Sequence, residues 1–351
     1  MTTYEGLFRV LGLEDWCARG ADPDAAAATA PRSMRDLLAQ TRGEEADAGV
    51  SLWDTPFPSL DALHEACAAI PQSRDLTRGL EQGFLDIRHV LKAVLDPMTQ
   101  PLSVALRNVL WVFQETPWWI MIPLLALIVL GVARSLKLTV FVAATISFLA
   151  FIDLYAEAMQ TLSIIFVCAA ICVVIGVPIG ILMSRSDRMQ QATIPVLDML
   201  QTLPPFVYLI PLIFLFSVTE PKLYGIAIIL YAIVPVIRLT DLGIRLVDPE
   251  VLEAADAFGM TDRQKLLGVQ IPLALPNIMA GVNQTIMMSL AMVVIASLVS
   301  APGLGVLVLR GIRNLELGVG IVSGIGIVLL AVILDRVTKA ALARVNKAQQ
   351  Q

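Results

Sequence analysis

The chain has 351 residues, 57% of them hydrophobic and 16% charged, and a mean hydropathy of +0.75. Soluble domains carry roughly 25% charged residues, so the composition excludes an ordinary soluble globular protein and points to an integral membrane protein. The net charge of −5 is unevenly spread: residues 1–117 hold seventeen acids and ten bases, the remainder thirteen acids and fifteen bases, which argues against a nucleic-acid surface on the acidic part.

The first ten residues have no basic run and only a broken apolar stretch, unlike a cleavable signal. Residues 20–49 are rich in Ala, Asp, Glu and Arg with few large apolar side chains, and are expected to be loosely ordered. Cys17 and Cys67 could pair if this segment is exported, whereas Cys168 and Cys172 share one face of an apolar helix and read as packed thiols. We read 1–83 as an acidic, partly disordered N-terminal tail. Residues 84–117 form an amphipathic helical segment, in which Leu102, Leu106, Val109, Leu110 and Phe113 recur opposite Arg107, Asn108 and Gln114. Such a helix either lies in the outer interface or packs on a transmembrane bundle.

Crossing the hydrocarbon takes roughly 20 apolar residues. Seven stretches are candidates: Trp118 to Ala133, Leu136 to Ile152, Ala158 to Met183, Leu200 to Phe216, Leu223 to Ile244, Ile278 to Val299 and Leu317 to Leu334. With the tail outside, inner loops and C-terminus carry twelve basic residues and outer loops three, Lys222, Arg310 and Arg313. The expected organisation is a membrane domain over 118–340, an inward-facing loop over 245–272 and a cytoplasmic C-terminal tail over 341–351.

Within the spans, Gly176 and Gly180 sit four apart, as do Gly320 and Gly324, a spacing that lets helices approach closely within one subunit or between two. The fourth span holds Leu203-Pro204-Pro205-Phe206 and Pro211. A helix so broken must face protein or a wet path, where other groups satisfy its freed carbonyls. Phe206 and Tyr208 could offer aromatic faces to a quaternary ammonium group, or pack between helices. Arg238 and Asp241, three apart, read as a solvated pair at the inner end of the fifth span.

The inward-facing loop is punctuated with unusual clarity. Asp248 is a good N-cap, Pro249 sits where a missing N–H costs nothing, and Glu250 faces the positive end of the helix dipole. Gly259 suits the left-handed position that ends the helix. Thr261-Asp262-Arg263-Gln264 predicts a capping box opening a second short helix that ends before Pro272. Ala254 and Ala255 permit close backbone approach, and Glu253 offers a carboxylate to a basic or N–H partner. In the sixth span Asn283, Gln284, Thr285 and Ser289 form a polar run that must bond to other helices or line a path, the latter favoured for Asn283 and Gln284.

With its spacing included, Glu253-Ala254-Ala255, then Gly259, then Val269-Gln270-Ile271-Pro272 resembles the cytoplasmic signature of ABC importer permeases. The segments Gln201 to Tyr208, Leu275 to Thr285 and Val293 to Ser297 are similar to the permease subunit of glycine betaine/proline betaine importers. The resemblance covers about residues 85 to 340. It implies an all-α polytopic fold of the type I importer kind with about seven transmembrane helices and an N-terminal extension.

It also implies the partners: a separate ATP-binding cassette ATPase that receives Glu253, Ala254, Ala255, Phe258, Gly259 and Pro272, a periplasmic substrate-binding protein, a second permease copy and membrane lipid. The expected role is ATP-driven uptake of glycine betaine, proline betaine or a related methylated amine through the inner membrane. No catalysis, cofactor or metal is expected of this chain. No G-x-x-x-x-G-K-[ST] loop is present, so ATP must be bound elsewhere. His64-Glu65 lacks the second His of a zinc-protease motif. The alternative is an ion-coupled carrier or channel for small zwitterions, but such carriers place ionisable groups at membrane depth, and every carboxylate here falls near a span end.

Overall fold

The structure, a computed structural model, describes residues 57–349 together with Tyr4, Phe8, residues 10–13 and Cys17. Residues 20–49, expected to be loosely ordered, lie outside the described residues. The chain divides into two compact units, 1–90 and 91–351.

In the first unit Cys17 and Cys67 form a disulfide. Helix α1 (Leu60–Ala66) is capped by Ser59, whose hydroxyl accepts from the Ala62 N–H at 3.2 Å. Its Asp61 carboxylate accepts from the Ser73 N–H at 2.9 Å and from the Ser73 hydroxyl, tying α1 to the start of α2 (Ser73–Glu115). The Ser73 backbone bond is the main reason that the Asp61 carboxyl lies below its ordinary 3.8. A lowered carboxyl contributes fully above its unfolded pKa, and the contribution disappears as pH falls through the folded value. Protection of the Ser73 amide from exchange is therefore expected to be normal at neutral pH and lost in strong acid, with Asp61→Asn losing it at both.

In the second unit the late part of α2 packs on the bundle. Leu102, Ser103 and Leu106 are buried, and a Cβ at Gly225 would lie 2.7 Å from Leu106 Cδ1. Lys222, 5% exposed, holds this contact: its ammonium meets Asp96 at 2.6 Å and Glu220 at 2.9 Å, 5.0 Å from the Phe216 ring. A buried cation is tolerated only when paired in this way.

After a 116° bend the chain forms α3 (Trp118–Ala133) and α4 (Leu136–Phe151), joined through Arg134 in the left-handed region at φ 48°. Then come α5 (Tyr155–Ser184), α6 (Asp187–Thr202), α7 (Leu209–Leu215) and α8 (Pro221–Arg245). Four helices are each long and apolar enough to cross a membrane, and two bent pairs and the shorter α4 supply further candidates among the described residues.

The fourth candidate span is not one helix. α6 begins earlier, at Asp187, and the chain turns by 103° before α7. The cause is local: Pro204 and Pro205 donate nothing, and a residue before proline is pushed out of the helical region. Leu203 is accordingly extended (φ −65°, ψ 132°), and a 3₁₀ turn over Pro205–Tyr208 leads into α7.

Helix α8 is the axis of the second unit, with α5 along one side and α11 (Ile271–Ala296) along another. Small residues make both approaches possible. A Cβ at Gly176 would come within 2.5 Å of Val236 Cγ1, and one at Gly180 within 2.7 Å of the Ile237 carbonyl oxygen. Close contact of this kind, through dispersion, holds helices together where lipid removes the hydrophobic drive. The Gly176/Gly180 pair thus serves packing within one subunit. Cys168 and Cys172 are buried free thiols on the same α5–α8 side, as expected.

The loop before the last span contains a helix that the sequence pattern does not announce, α12 (Leu304–Arg313). Gly303, at φ +119°, lets the loop press against α5, where the Leu304 N–H donates to the Thr161 hydroxyl at 2.9 Å. Gly311 meets Gly320 of the final helix, α13 (Leu317–Gln349), whereas Gly324 has nothing within 4 Å.

Candidate functional site

The chain leaves α8 through a network that fixes its direction. Arg245 Nε meets Asp241 at 3.0 Å, Nη1 meets Asp187 at 2.7 Å and Nη2 donates to the Met183 carbonyl at 2.9 Å, while Gln190 donates to Asp241 at 2.7 Å. The expected solvated Arg238–Asp241 pair is not formed: Asp241 is buried and turns to Arg245, and Arg238 pairs with Asp198. On a helix the i,i+4 partner lies as near as the i,i+3 one, and the buried side of Asp241 faces α6.

Helix α9 (Pro249–Ala257) follows, with the predicted caps. The Asp248 carboxylate accepts from the Glu250 N–H at 2.9 Å. At the other end the Gly259 N–H donates to the Asp256 carbonyl and the Met260 N–H reaches back to Ala255 at 3.1 Å. This double closure requires Gly259 at φ +77°. Thr261 and Gln264 then exchange both bonds of a capping box to open α10 (Asp262–Lys265), and Lys265 reaches back to Asp256 at 2.5 Å, bracing the two helices.

The second helix does not end before Pro272. It widens into a π turn over Leu266–Gln270 and runs directly into α11, with Pro272 in the first turn. The Ile271 N–H donates to Leu266, five residues back. Widening the turn moves the proline ring off the carbonyl with which it would clash in a regular helix. Sequence reading took Pro272 as a stop because the widened turn has no residue signature of its own.

The side chains named from sequence are divided by exposure. Ala255 is buried, whereas Glu253, Ala254, Phe258 and Gly259 face outward, Phe258 with 87% of its surface free. Glu253 makes no ion pair among the described residues. This end of the unit therefore offers a short, braced helix with a free carboxylate and a free aromatic ring.

The residues named for a path lie apart from it. Phe206 is 57% exposed on the 3₁₀ turn, but Tyr208 is buried and its hydroxyl donates to the Leu200 carbonyl. That carbonyl would accept from residue 204 in a regular helix, and Pro204 has no N–H to give. Tyr208 thus repairs the break. Tyr208→Phe is expected to cost about 1 kcal/mol by leaving a half-buried carbonyl without this donor, read as a lower unfolding temperature in detergent.

Asn283 donates to Asp335 at 3.2 Å and accepts from the Thr338 hydroxyl, tying α11 to α13. Thr285 and Ser289 are buried. Gln284 is exposed, in one row with Leu273, Ala280, Ala291 and Leu298.

The family described as binding-protein-dependent transport system inner membrane component matches residues 173–347. The chain is 39% identical over 326 residues to the glycine betaine/proline betaine transport system permease protein ProW of Escherichia coli (strain K12), covering 90% of this chain and 88% of that one. It is 43% identical over 234 residues to the glycine betaine/carnitine transport permease protein GbuB of Listeria monocytogenes serotype 1/2a (strain 10403S), covering 66% and 82%. A solved chain of the MetNI methionine ABC transporter, in an inward-facing conformation, shares the fold with a TM-score of 0.50 at 19% identity, over 55% of this chain and 95% of that one.

Proposed function

Since the chain belongs to the family of binding-protein-dependent transport system inner membrane components, we propose that it carries glycine betaine, proline betaine or a related methylated amine inward, driven by an ATPase that grips α9. The chain itself is a non-catalytic, multi-pass inner-membrane subunit. Its relatives are named for glycine betaine, proline betaine and carnitine, and another for trimethylamine N-oxide, which supports a small methylated amine as cargo.

The observation that carries the coupling role is the outward face of α9. A helix closed at both ends and braced by Lys265 presents an exposed Phe258 and a Glu253 that makes no ion pair among the described residues. In this reading a cleft in the ATPase takes the Phe258 ring, a basic or N–H group holds Glu253, and closure of the ATPase swings α9. Because α10, the π turn and α11 form one continuous rod, that swing passes into the bundle as a rigid-body change between inward and outward packings.

Two further elements of the reading have independent support. The external tail is favoured by the basic-residue bias and by the Cys17–Cys67 disulfide, since disulfides persist in oxidising compartments. A permease homodimer is favoured by Gln284, whose amide is exposed on an apolar helix between Ala280 and Ala291. An amide facing hydrocarbon is costly, so a second copy, or a wet path between copies, is a better neighbour than lipid.

The test is uptake by proteoliposomes containing this chain, its ATPase and its binding protein. Uptake of a methylated amine that requires ATP and all three components is expected. Uptake by the chain alone, driven by a sodium or proton gradient, would overturn the proposal.

A further inference from the structure

Between the start of α4 and the late part of α13 lies an open groove of about 970 Å³. Its lining changes character along its length. Lys137 stands on the first turn of α4, with Arg336 and Lys339 beside it on α13, while Leu138 and Phe141 continue the wall further along α4. The charges are not balanced internally. Asp335 holds Lys339 at 2.8 Å and also receives Asn283, but Lys137 and Arg336 make no ion pair among the described residues. The two walls are held together, since Arg344 of α13 donates to the Gly131 carbonyl at 2.8 Å at the end of α3, next to the turn into α4.

We infer that this groove binds one anionic phospholipid, with its phosphate between Lys137 and Arg336 and an acyl chain along Leu138 and Phe141. The argument is one of matched order. Moving from the α3–α4 turn into the membrane, α4 passes from Lys137 to Phe141, and α13, running the other way, passes back from Lys339 and Arg336 to Val332. Both walls go from charged to apolar in the same direction. A free phosphate would use only the charged end, whereas a phospholipid uses both. Basic pockets between transmembrane helices at the membrane surface favour anionic headgroups in this way. Placing the groove in the inner leaflet rests on the orientation proposed above.

Native mass spectrometry of the purified full-length chain, exchanged into mixed phosphatidylglycerol and phosphatidylcholine, tests the inference. Wild type is expected to retain one phosphatidylglycerol in preference to phosphatidylcholine, less so at high salt and undisplaced by millimolar inorganic phosphate. Lys137→Gln with Arg336→Gln is expected to lower that retention on the order of thirtyfold, about fivefold for each cation removed. The charge-preserving pair Lys137→Arg with Arg336→Lys should keep it, which separates lost charge from lost fold. Equal retention of both lipids, unchanged retention by the Gln pair, or displacement by inorganic phosphate would each overturn the groove as a lipid site. Any of these results alongside intact ATP-driven uptake would overturn the groove alone and leave the permease reading standing.

Discussion

Glu253→Lys is expected to leave the protein inserted and folded while abolishing ATP-driven uptake. The side chain is exposed and unpaired within its own chain, and substitutions at such positions usually change stability by no more than about 0.5 kcal/mol. Its effect must therefore arise in the complex. In the proposed docking, reversing this charge against a basic or N–H partner replaces attraction by repulsion at a desolvated contact, which costs about 2–5 kcal/mol. That corresponds to at least a thirtyfold loss of docking. Gly259→Val reaches the same end by a different route. A residue with a Cβ at φ +77° is strained by roughly 1–2 kcal/mol, and a β-branched one is worse, so the double closure that ends α9 opens and the helix loses its angle to α10. Measured in proteoliposomes at matched protein levels, both variants should bind or drive the ATPase poorly. Normal ATP-driven uptake by both would remove α9 from the mechanism.

Gly180→Leu is expected to destroy the bundle itself. The new Cβ would lie 2.7 Å from the Ile237 carbonyl oxygen and 2.6 Å from Thr240 Cβ, and the carbonyl belongs to the backbone of the central helix and cannot rotate away. Overpacking costs about 1–3 kcal/mol where side chains can yield. Here α5 and α8 must separate, so the expected cost is at the upper end or beyond, and little folded protein should survive extraction. Gly324→Ala is the contrasting case, with nothing within 4 Å of the added atom; it is expected to leave the unfolding temperature of the detergent-purified chain unchanged. A stable, monodisperse Gly180→Leu protein would show that the α5–α8 seam is looser than described.

Much of this architecture was legible from residues alone, and for identifiable reasons. The bounds of α3 and α4, and the caps of α9 and α10, follow from local chemistry. Asp248, Gly259 and the Thr261–Gln264 pair act within a few residues of themselves, so spacing suffices to read them. The break at Pro204 was visible, but not its repair, because the Tyr208 hydroxyl finds Leu200 only once the 3₁₀ turn has brought them together. Gln190, which donates to Asp241, and Asp335, which accepts from Asn283, lie on other helices, 51 and 52 residues away, and no local pattern announces them. Helix α12 was missed because its buried face, Leu304, Gly305 and Gly311, is small and glycine-rich and reads as loop.

In the proposed mechanism α9 faces the cytoplasm and is held by a different polypeptide that hydrolyses ATP. Placing a photo-activatable phenylalanine analogue at position 258, in membranes that also contain the ATPase subunit, tests it directly. One cross-linked product is expected, between this chain and the ATPase, formed from the cytoplasmic side and lost with Glu253→Lys. A product only with lipid, or reaction of this position with a reagent confined to the periplasm, would contradict it.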